Sequence, residues 1–389
     1  MSEWLKLLAC LPQAPDYAYD WDGLAETALQ PLFHKLSQTQ QNPEYHAEGD
    51  AWTHTQMVCQ KLSQLSAFRA LPKRCQQVAA LAALLHDIGK IPATKWEDGR
   101  WISPNHGAAG AHMAREFLWT EYGLCGTAEK QQFRETVCFL IRYHMVPAHI
   151  LKQSDPERRL ITLAANGQLC PNFTISLLCL LAEADVLGRT APDTQELLEK
   201  VQLCSETARE AGCLQGPAAF ASPVTQHACL SGRNVWPMQE LFDDTWGEVI
   251  LLSGLPGTGK DTWIRRNHPE LPVVCMDDIR REMKIKSTDD QGRVVQAALE
   301  QARVHLRAHE PFVWNATCIS PLMRQRQLRL FEQYGARVRI VYLETEWEEN
   351  LRRNRERQAA VPEAVIARML SQLIPPERSE AQTVEWLCT

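Results

Sequence analysis

Apolar segments in the first half of the chain contain few β-branched residues in alternation, a pattern typical of helices rather than strands. The clearest of these segments are 81–85, 117–118, 138–141 and 177–181. The pattern therefore predicts an all-α domain over residues 1–212.

The pattern changes after Trp246, where short apolar runs alternate with helical segments. Strands are predicted at 249–253, 272–275, 311–315 and 338–343. Such alternation is the signature of a parallel α/β sheet. The intervening residues 213–245 contain Gly, Pro, Ser and Ala without a clear period and predict a linker. We therefore expect a multidomain protein whose α/β domain covers residues 246–389.

The composition agrees with two globular domains. The chain has 389 residues, of which 45% are hydrophobic and 23% charged. No apolar run approaches the ~20 residues that a membrane helix needs, and the N-terminus lacks the layout of a signal peptide. The 13 cysteines never form C-x-x-C. This disfavours a disulfide framework or a thiolate zinc site, indicates a reducing compartment, and predicts a cytoplasmic protein without membrane contact.

The net charge of −6 is unevenly distributed. From Trp246 onward, 21 Lys and Arg against 20 Asp and Glu give +1, and 18 of the 21 basic residues are Arg. Arg offers a rigid donor fork that suits phosphate. Because the net charge of this part is near zero, any contact with a polyanion must be local.

A glycine-rich stretch after the strand at 249–253 matches G-x-x-x-x-G-K. Such a loop lines up N–H groups around a phosphate at a helix N-terminus, and a simple structural turn is the alternative. The residues expected to bind the nucleotide are Gly254, Pro256, Gly257, Thr258, Gly259, Lys260, Asp261 and Thr262. Asp261 stands where Ser or Thr normally contacts magnesium, so either Asp261 or Thr262 faces the metal. A carboxylate beside a triphosphate itself favours bound Mg²⁺.

Polar residues with candidate chemical roles follow two further predicted strands. In a parallel sheet, functional groups collect at the carboxyl ends of the strands. Asp277 is a candidate general base for an attacking hydroxyl, and Arg280 can hold a phosphate of the acceptor. The alternative for Asp277 is a helix N-cap with first-turn charges. Asn315 follows another strand and is a candidate contact to a nucleic-acid acceptor.

Four arginines lie within six positions, 352–357. A charge run is commonly a solvated helix face, here paired with the acids of 346–349. The favoured interpretation is a helical lid, in which Arg353 and Arg357 close over the triphosphate.

The C-terminal part of the chain resembles a known enzyme family. Residues 246 to about 375 are similar to the 5′-hydroxyl polynucleotide kinases of the phage end-healing type, through G-x-P-G-x-G-K, D-D-x-R, N-A-T and R-N-x-x-R. The resemblance implies that Lys260 contacts the β- and γ-phosphates, that Asp277 is the general base, and that Arg353 and Arg357 belong to the lid. A kinase for a small nucleoside or metabolite is the alternative.

The N-terminal half holds eight of the 12 histidines between His34 and His149. A neighbouring His and Asp at a helix end can bind one divalent metal, with the carboxylate bridging to a second. The predicted metal ligands are His54, His86, Asp87, His106, His144 and Asp185. This donor set suits Mn, Fe, Ni, Co or Zn better than Ca. For His34, His112 and His149, an ordinary core or surface role is the favoured interpretation.

The pattern H…HD…H…H…D around His86-Asp87-Ile88-Gly89-Lys90 resembles the HD-domain phosphohydrolases, which are all-helical metalloenzymes. The resemblance implies that His106 and His144 hold a second metal, that Asp87 is catalytic, and that Lys90 binds the phosphate. The cyclic-dinucleotide branch needs a Gly-Tyr-Pro segment, where this chain has Met145-Val146-Pro147.

Together the two halves resemble the bacterial end-healing enzymes called HD-Pnk. The resemblance implies transfer of phosphate from ATP or GTP with Mg²⁺ to 5′-OH ends of RNA or DNA. It also implies metal-dependent removal of 2′,3′-cyclic, 2′- or 3′-phosphates, and by analogy an RNA ligase as the next enzyme. The alternative is a nucleotide phosphohydrolase or sensor that gates a small-nucleoside kinase.

Overall fold

The computed structural model describes residues 2–285, 291–357 and 359–389. Their contacts divide the chain into an N-terminal unit, residues 1–124 with 129–218, and a C-terminal unit, residues 125–128 with 219–389. The first is helical and the second contains a parallel sheet, so the predicted multidomain fold class is confirmed. In the part of the chain that the model describes, no helix combines the length and apolarity needed to cross a bilayer.

The N-terminal unit is built from helices joined by short loops. They are α1 (Glu3–Cys10), α2 (Trp21–Ala25), α3 (Gln30–Ser37), α4 (Ala51–Gln64), α5 (Ser66–Arg69), α6 (Lys73–Leu85), α7 (Lys90–Ala93), α8 (His106–Thr120), α9 (Ala128–Tyr143), α10 (Pro156–Ala165), α11 (Ile175–Leu187) and α12 (Thr194–Glu210), with short 3₁₀ segments at Pro147–Lys152 and Asn166–Gln168. A hairpin of β1 (Lys95–Glu97) and β2 (Arg100–Ile102), which the apolar pattern did not predict, interrupts them.

Helices α4, α6 and α11 pack against one another at the centre of this unit. Along α11 the apolar residues cover the whole circumference, as expected of a helix enclosed on all sides. Asp50 fixes the start of α4 by accepting hydrogen bonds from the amides of Trp52 and Thr53. The predicted metal ligands on α4 and α11 therefore project from the rigid core.

The C-terminal unit has a five-stranded parallel sheet in the order β4-β5-β3-β6-β7. Its strands are β3 (Glu248–Ser253), β4 (Val273–Cys275), β5 (Val313–Asn315), β6 (Arg337–Glu344) and β7 (Thr383–Cys388), and its helices are α13 (Pro223–Leu230), α14 (Lys260–Asn267), α15 (Met276–Glu282), α16 (Gly292–Arg307), α17 (Pro321–Gln333), α18 (Trp347–Arg355) and α19 (Glu363–Ser371). The four predicted strands are present. The edge strand β7 was not predicted, because its largely half-buried residues lack the apolar run of a central strand.

The stretch 213–245, proposed above as a linker, includes the two-turn helix α13. Ser222 caps this helix and Pro223 begins it, a sequence suited to a helix start. The ring nitrogen Nε2 of His227 lies 2.9 Å from Oε1 of Glu332 on α17. A helix this short shows no recognisable period, so the pattern alone could not reveal it.

Candidate active sites

Six predicted metal ligands from five segments converge in the N-terminal unit. Nε2 of His54 on α4 lies 3.0 Å from Oδ1 of Asp185 on α11, and Nε2 of His86 lies 3.4 Å from Oδ2 of Asp87. Nε2 of His106, at the start of α8, lies 3.4 Å from the other Asp87 oxygen. The structure therefore brings together residues that are up to 131 positions apart in sequence.

The ligand atoms form two groups that share Asp87. One group is His54, His86 and Asp87, and the other is Asp87, His106 and His144; within each, the ligand atoms lie within 4.8 Å of one another. Imidazole nitrogens combined with carboxylate oxygens are a donor set for divalent transition metals. A carboxylate between two such groups can bridge two ions. The residues present therefore fit a divalent metal centre with room for two ions.

Each ring is oriented by a hydrogen bond from its other nitrogen. Nδ1 of His86 donates to the Ala83 carbonyl at 2.8 Å, and Nδ1 of His144 donates to the Ile141 carbonyl at 2.7 Å. Nδ1 of His106 donates to the Ser103 carbonyl at 2.9 Å. These bonds select the tautomer whose Nε2 lone pair faces the centre, as ligand histidines require.

The fourth histidine is oriented by Glu48, which the sequence analysis did not identify. Oε1 of Glu48 lies 3.1 Å from Nδ1 of His54 and 2.9 Å from Nδ1 of His46, and its Oε2 accepts a 2.9 Å bond from the Thr190 amide. Burial alone would raise the pKa of Glu48, but these donors hold it well below its usual range. Its only sequence signal is its position six residues before His54, in a loop.

The surroundings of Asp87 and Asp185 keep both carboxylates charged, because neighbouring groups lower the pKa of each. Burial would raise the pKa of Asp87, but Lys90 and His86 hold it well below its ordinary value. Burial, with help from the neighbouring His106, lowers the pKa of His144 to about 3. Burial likewise would lower the pKa of His54, yet the carboxylates of Asp185 and Glu48 outweigh it and raise the pKa to about 9. Two anions thus lie among these rings, an arrangement that attracts a cation.

Lys90 points into this centre. Its Nζ lies 2.7 Å from Oδ2 of Asp87 and donates to Oε1 of Gln41 at 2.6 Å, and the side chain is buried. The predicted role of Lys90 in phosphate binding stays a prediction. His34, His112 and His149 belong to neither ligand group.

Gly89 lies where the segment that follows His86 and Asp87 packs closely against α8. A Cβ at this position would lie 1.9 Å from the His106 carbonyl oxygen and 2.4 Å from the Gly110 amide nitrogen. Both are backbone atoms of α8 that cannot turn aside. The glycine therefore allows the segment carrying Asp87 to approach the helix carrying His106.

The glycine-rich loop lies between β3 and α14, as predicted. Gly254 has φ of 146°, and a Cβ there would lie 2.4 Å from the Leu343 carbonyl oxygen. Lys260, the first residue of α14, folds over the loop and donates to the carbonyls of Gly254 and Leu255 at 2.9 and 2.8 Å. Burial lowers the pKa of Lys260 to about 8. Nδ2 of Asn350 donates to the Pro256 carbonyl at 2.9 Å and braces the loop, a role that the sequence analysis missed.

Asp261, Thr262 and Asn315 lie beside the loop. Nδ2 of Asn315, at the end of β5, donates to Oδ1 of Asp261 at 2.7 Å. The Thr262 hydroxyl accepts a 3.2 Å bond from Arg265. Asn315 thus contacts the residue predicted to face magnesium, while its predicted contact to an acceptor stays a prediction.

Asp277 presents an accessible carboxylate at the end of β4. Cys275 occupies the N-cap of α15, so Asp277 is not the cap, but Asp277 and Asp278 lie in the first turn as the alternative also expected. The Arg280 guanidinium donates to Oδ1 of Asp277, and Nη2 of Arg357 lies 3.6 Å from Oδ2. The Asp277 side chain is 60% exposed. A carboxylate that contacts two arginines and is open to solvent can accept a proton from an incoming hydroxyl.

The arginine run divides into two pairs. Arg352 pairs with Glu349 and Glu356, and Arg355 pairs with Glu363, as on a solvated helix face. Arg353 also donates to Glu349 at 2.7 Å, but it donates in addition to the Thr389 hydroxyl at 3.0 Å, which in turn donates to the Thr258 carbonyl of the loop. Arg357 and Arg353 therefore lie at the site, and the other two do not.

Comparison with known proteins agrees with the division of the chain into a helical unit and an α/β unit. A family model described as the HD domain matches residues 52–166, and one described as an AAA domain matches residues 249–376. The first range includes five of the six predicted metal ligands, all but Asp185. The second range includes the glycine-rich loop, Asp277 and Arg357. No curated protein matches the chain. The N-terminal unit therefore contains an HD domain, and the C-terminal unit contains a P-loop domain of the kinase-like type.

Proposed function

We propose that this chain is a bifunctional enzyme that heals broken nucleic-acid ends, of the kind that HD-Pnk proteins represent. The C-terminal unit phosphorylates 5′-OH ends from a nucleoside triphosphate. The N-terminal unit removes 2′,3′-cyclic, 2′- or 3′-phosphates. The proposal is carried by one observation: a phosphate loop beside an accessible carboxylate and a buried His/Asp centre occur in the same chain.

In the kinase reaction, the loop amides and Lys260 hold the triphosphate, and Asp277 accepts the proton of the attacking 5′-hydroxyl. Arg280 holds the phosphate next to that hydroxyl, and Arg357 balances charge on the transferred group. Asp261 or Thr262 would contact the Mg²⁺ that is bound with ATP or GTP, and that ion would neutralise the phosphates.

In the phosphohydrolase reaction, His54, His86, Asp87 and Asp185 would hold one divalent ion, and His106 and His144 would hold a second with Asp87. Ions such as Mn, Fe, Ni, Co or Zn would supply Lewis acidity and an activated water. Glu48 orients His54, and Lys90 keeps Asp87 charged and offers an ammonium group to the leaving phosphate. The products, 5′-phosphate and 3′-OH ends, are the substrates of a ligase, which makes an RNA ligase the expected partner.

The test uses purified protein and an oligonucleotide with a 5′-OH and a 2′,3′-cyclic phosphate, with Mg²⁺ and Mn²⁺ in turn and with ATP or GTP. We expect a 5′-phosphate and a free 3′-OH, and a DNA oligonucleotide with a 5′-OH and a 3′-phosphate, compared with an RNA of the same ends, shows the preferred polymer. Phosphorylation of free nucleosides but not of oligonucleotides would support the small-nucleoside kinase instead. Kinase activity that responds to nucleotides, without phosphate release, would support an HD sensor.

A further inference from the structure

The hairpin β1–β2 is attached to the metal centre. Asp98 and Gly99 both have positive φ, 51° and 76°, and form the tight turn that suits a two-residue hairpin. At the other end, the hydroxyls of Thr94 and Ser103 lie 2.8 Å apart, and the Ser103 carbonyl accepts the bond from Nδ1 of His106. The base of the hairpin thus contacts a predicted metal ligand directly.

One face of the hairpin is aromatic and uncharged. Trp96 and Trp101 are paired across the strands, with ring centroids 5.2 Å apart and an interplanar angle of 74°. The charged residues, including the Lys95–Glu97 ion pair, alternate onto the opposite face. The two rings meet at a steep angle and form a corner, in which Trp96 is the more exposed.

The cross-strand pair stabilises the hairpin but does not account for the exposure of Trp96. A two-stranded hairpin needs such side-chain pairs, because it is marginal by itself. Trp96 nevertheless remains 59% exposed. An indole that is retained on the surface beside a candidate active site is a common means of contacting a flat ligand.

A short series of contacts joins the indole to a predicted metal ligand. Trp96 stands two residues beyond Thr94, or about 7 Å at the usual rise of a strand, and Thr94 contacts Ser103, whose carbonyl accepts the bond from Nδ1 of His106. The hairpin is therefore close to the centre along the chain, as a contact to the part of a substrate beyond its phosphate requires.

We propose that Trp96, supported by Trp101, stacks a nucleobase of the single-stranded end whose phosphate the HD domain removes. This inference rests on the proposed function and specifies its substrate as a nucleic acid rather than a free phosphomonoester. The uncharged corner suits a neutral, flat base, and stacking on tryptophan accepts any base, as end healing requires. The metal centre, rather than the hairpin, binds the charged phosphate of this substrate.

The first test measures hydrolysis of a 5′-phosphorylated oligonucleotide with a 3′-phosphate, with p-nitrophenyl phosphate as a small substrate. We expect Trp96→Ala to raise KM for the oligonucleotide about 5- to 150-fold, the range of one lost stacking contact. Trp96→Phe should largely restore KM, and Trp236→Ala, another exposed tryptophan, should change nothing. Hydrolysis of p-nitrophenyl phosphate should stay unchanged in all variants.

An abasic nucleotide at the 3′ end, or next to it, supplies the decisive comparison. If Trp96 stacks a base, one of these substrates should raise KM for the wild type and remove the difference between wild type and Trp96→Ala. An equal effect of Trp96→Ala on abasic and ordinary substrates, or on p-nitrophenyl phosphate, would overturn the inference and indicate a structural role.

A second measurement separates this inference from the proposed function. A 3′-terminal 4-thiouridine should crosslink to the hairpin peptide of the full-length protein under ultraviolet light, as mapped by mass spectrometry. Crosslinking to that peptide without hydrolysis would retain the inference and reject the proposed phosphohydrolase. Hydrolysis of the oligonucleotide with crosslinks only elsewhere would do the reverse.

Discussion

The two candidate sites differ most in how their charged groups are held. In the HD domain, Asp87 is 1% exposed, three ligand histidines are oriented by hydrogen bonds from Nδ1, and the Glu48 carboxylate lies beside Nδ1 of His54. At the phosphate loop, Asp277 is 60% exposed and Arg357 is 33% exposed, and the two groups are 3.6 Å apart. One site is enclosed and prearranged, and the other is open.

The difference follows from what each site must bind. A metal centre needs its donors fixed within a few tenths of an ångström, which buried rings with second-sphere hydrogen bonds provide. A kinase must admit two substrates, so its charges face solvent and pair weakly until the substrates arrive. Substitutions should therefore act through metal binding in one site and through transition-state charge in the other.

The largest expected effects are those of removing the central group of either site. Asp87→Asn keeps the side-chain size but removes the carboxylate shared by both ligand groups, so metal content and phosphohydrolysis should fall by more than about 10²–10³-fold. Lys260→Ala should reduce phosphoryl transfer by a similar factor. Metal analysis and both activities should be measured on each variant. Loss of both activities in either variant would contradict two independent sites.

Arg357→Ala should lower kcat/KM for the kinase about 10²-fold, because it removes charge beside Asp277 and the transferred phosphate. Arg352→Ala is the matched control, since Arg352 makes only exposed ion pairs with neighbouring acids on and beside α18. It should change the same parameter by no more than about twofold. Equal losses in the two variants would show that the whole run is a lid.

Glu48→Gln tests the bracing of the enclosed site. The amide weakens the acceptor for Nδ1 of His54, so affinity for Mn²⁺, measured by calorimetric titration, should fall about 10- to 100-fold. Glu44→Gln changes an exposed acid in the same loop and should leave affinity unchanged. Kinase activity should be normal in both variants. An unchanged affinity in Glu48→Gln would mean that His54 needs no orienting partner.

The smallest effect expected is that of Gly89→Ala, because α8 must shift to admit one methyl group. We expect a loss of about 1–3 kcal/mol in the stability of the N-terminal unit, measured by urea unfolding, together with weaker metal binding. Gly216→Ala is the control, since nothing lies within 4 Å of its added Cβ. Identical unfolding of the two variants would argue against the close approach of the Asp87 segment to α8.

The contiguous motifs could be predicted from the sequence because they depend on the spacing of neighbouring residues. The glycine-rich loop after β3, the His86-Asp87 pair after α6 and four of the five parallel strands depend on neighbouring residues and local periodicity. The turn residues Asp98-Gly99 are also a local signal for a hairpin, but the apolar pattern by itself did not predict β1 and β2. Strand β7 could not be predicted, since its half-buried edge residues show little alternation of apolar and polar positions.

Residue types and their order thus specified an α-helical metal-binding half and an α/β phosphate-binding half, because local propensity and motif spacing are written along the chain. The partner of each group arose from long-range packing. The pairing of His54 with Asp185, the anchoring of Glu48 by the Thr190 amide, the contact of Lys90 with Gln41 and the approach of Arg357 to Asp277 each join residues that are distant in sequence. Such contacts depend on how helices and strands cross, which no spacing along a single chain records.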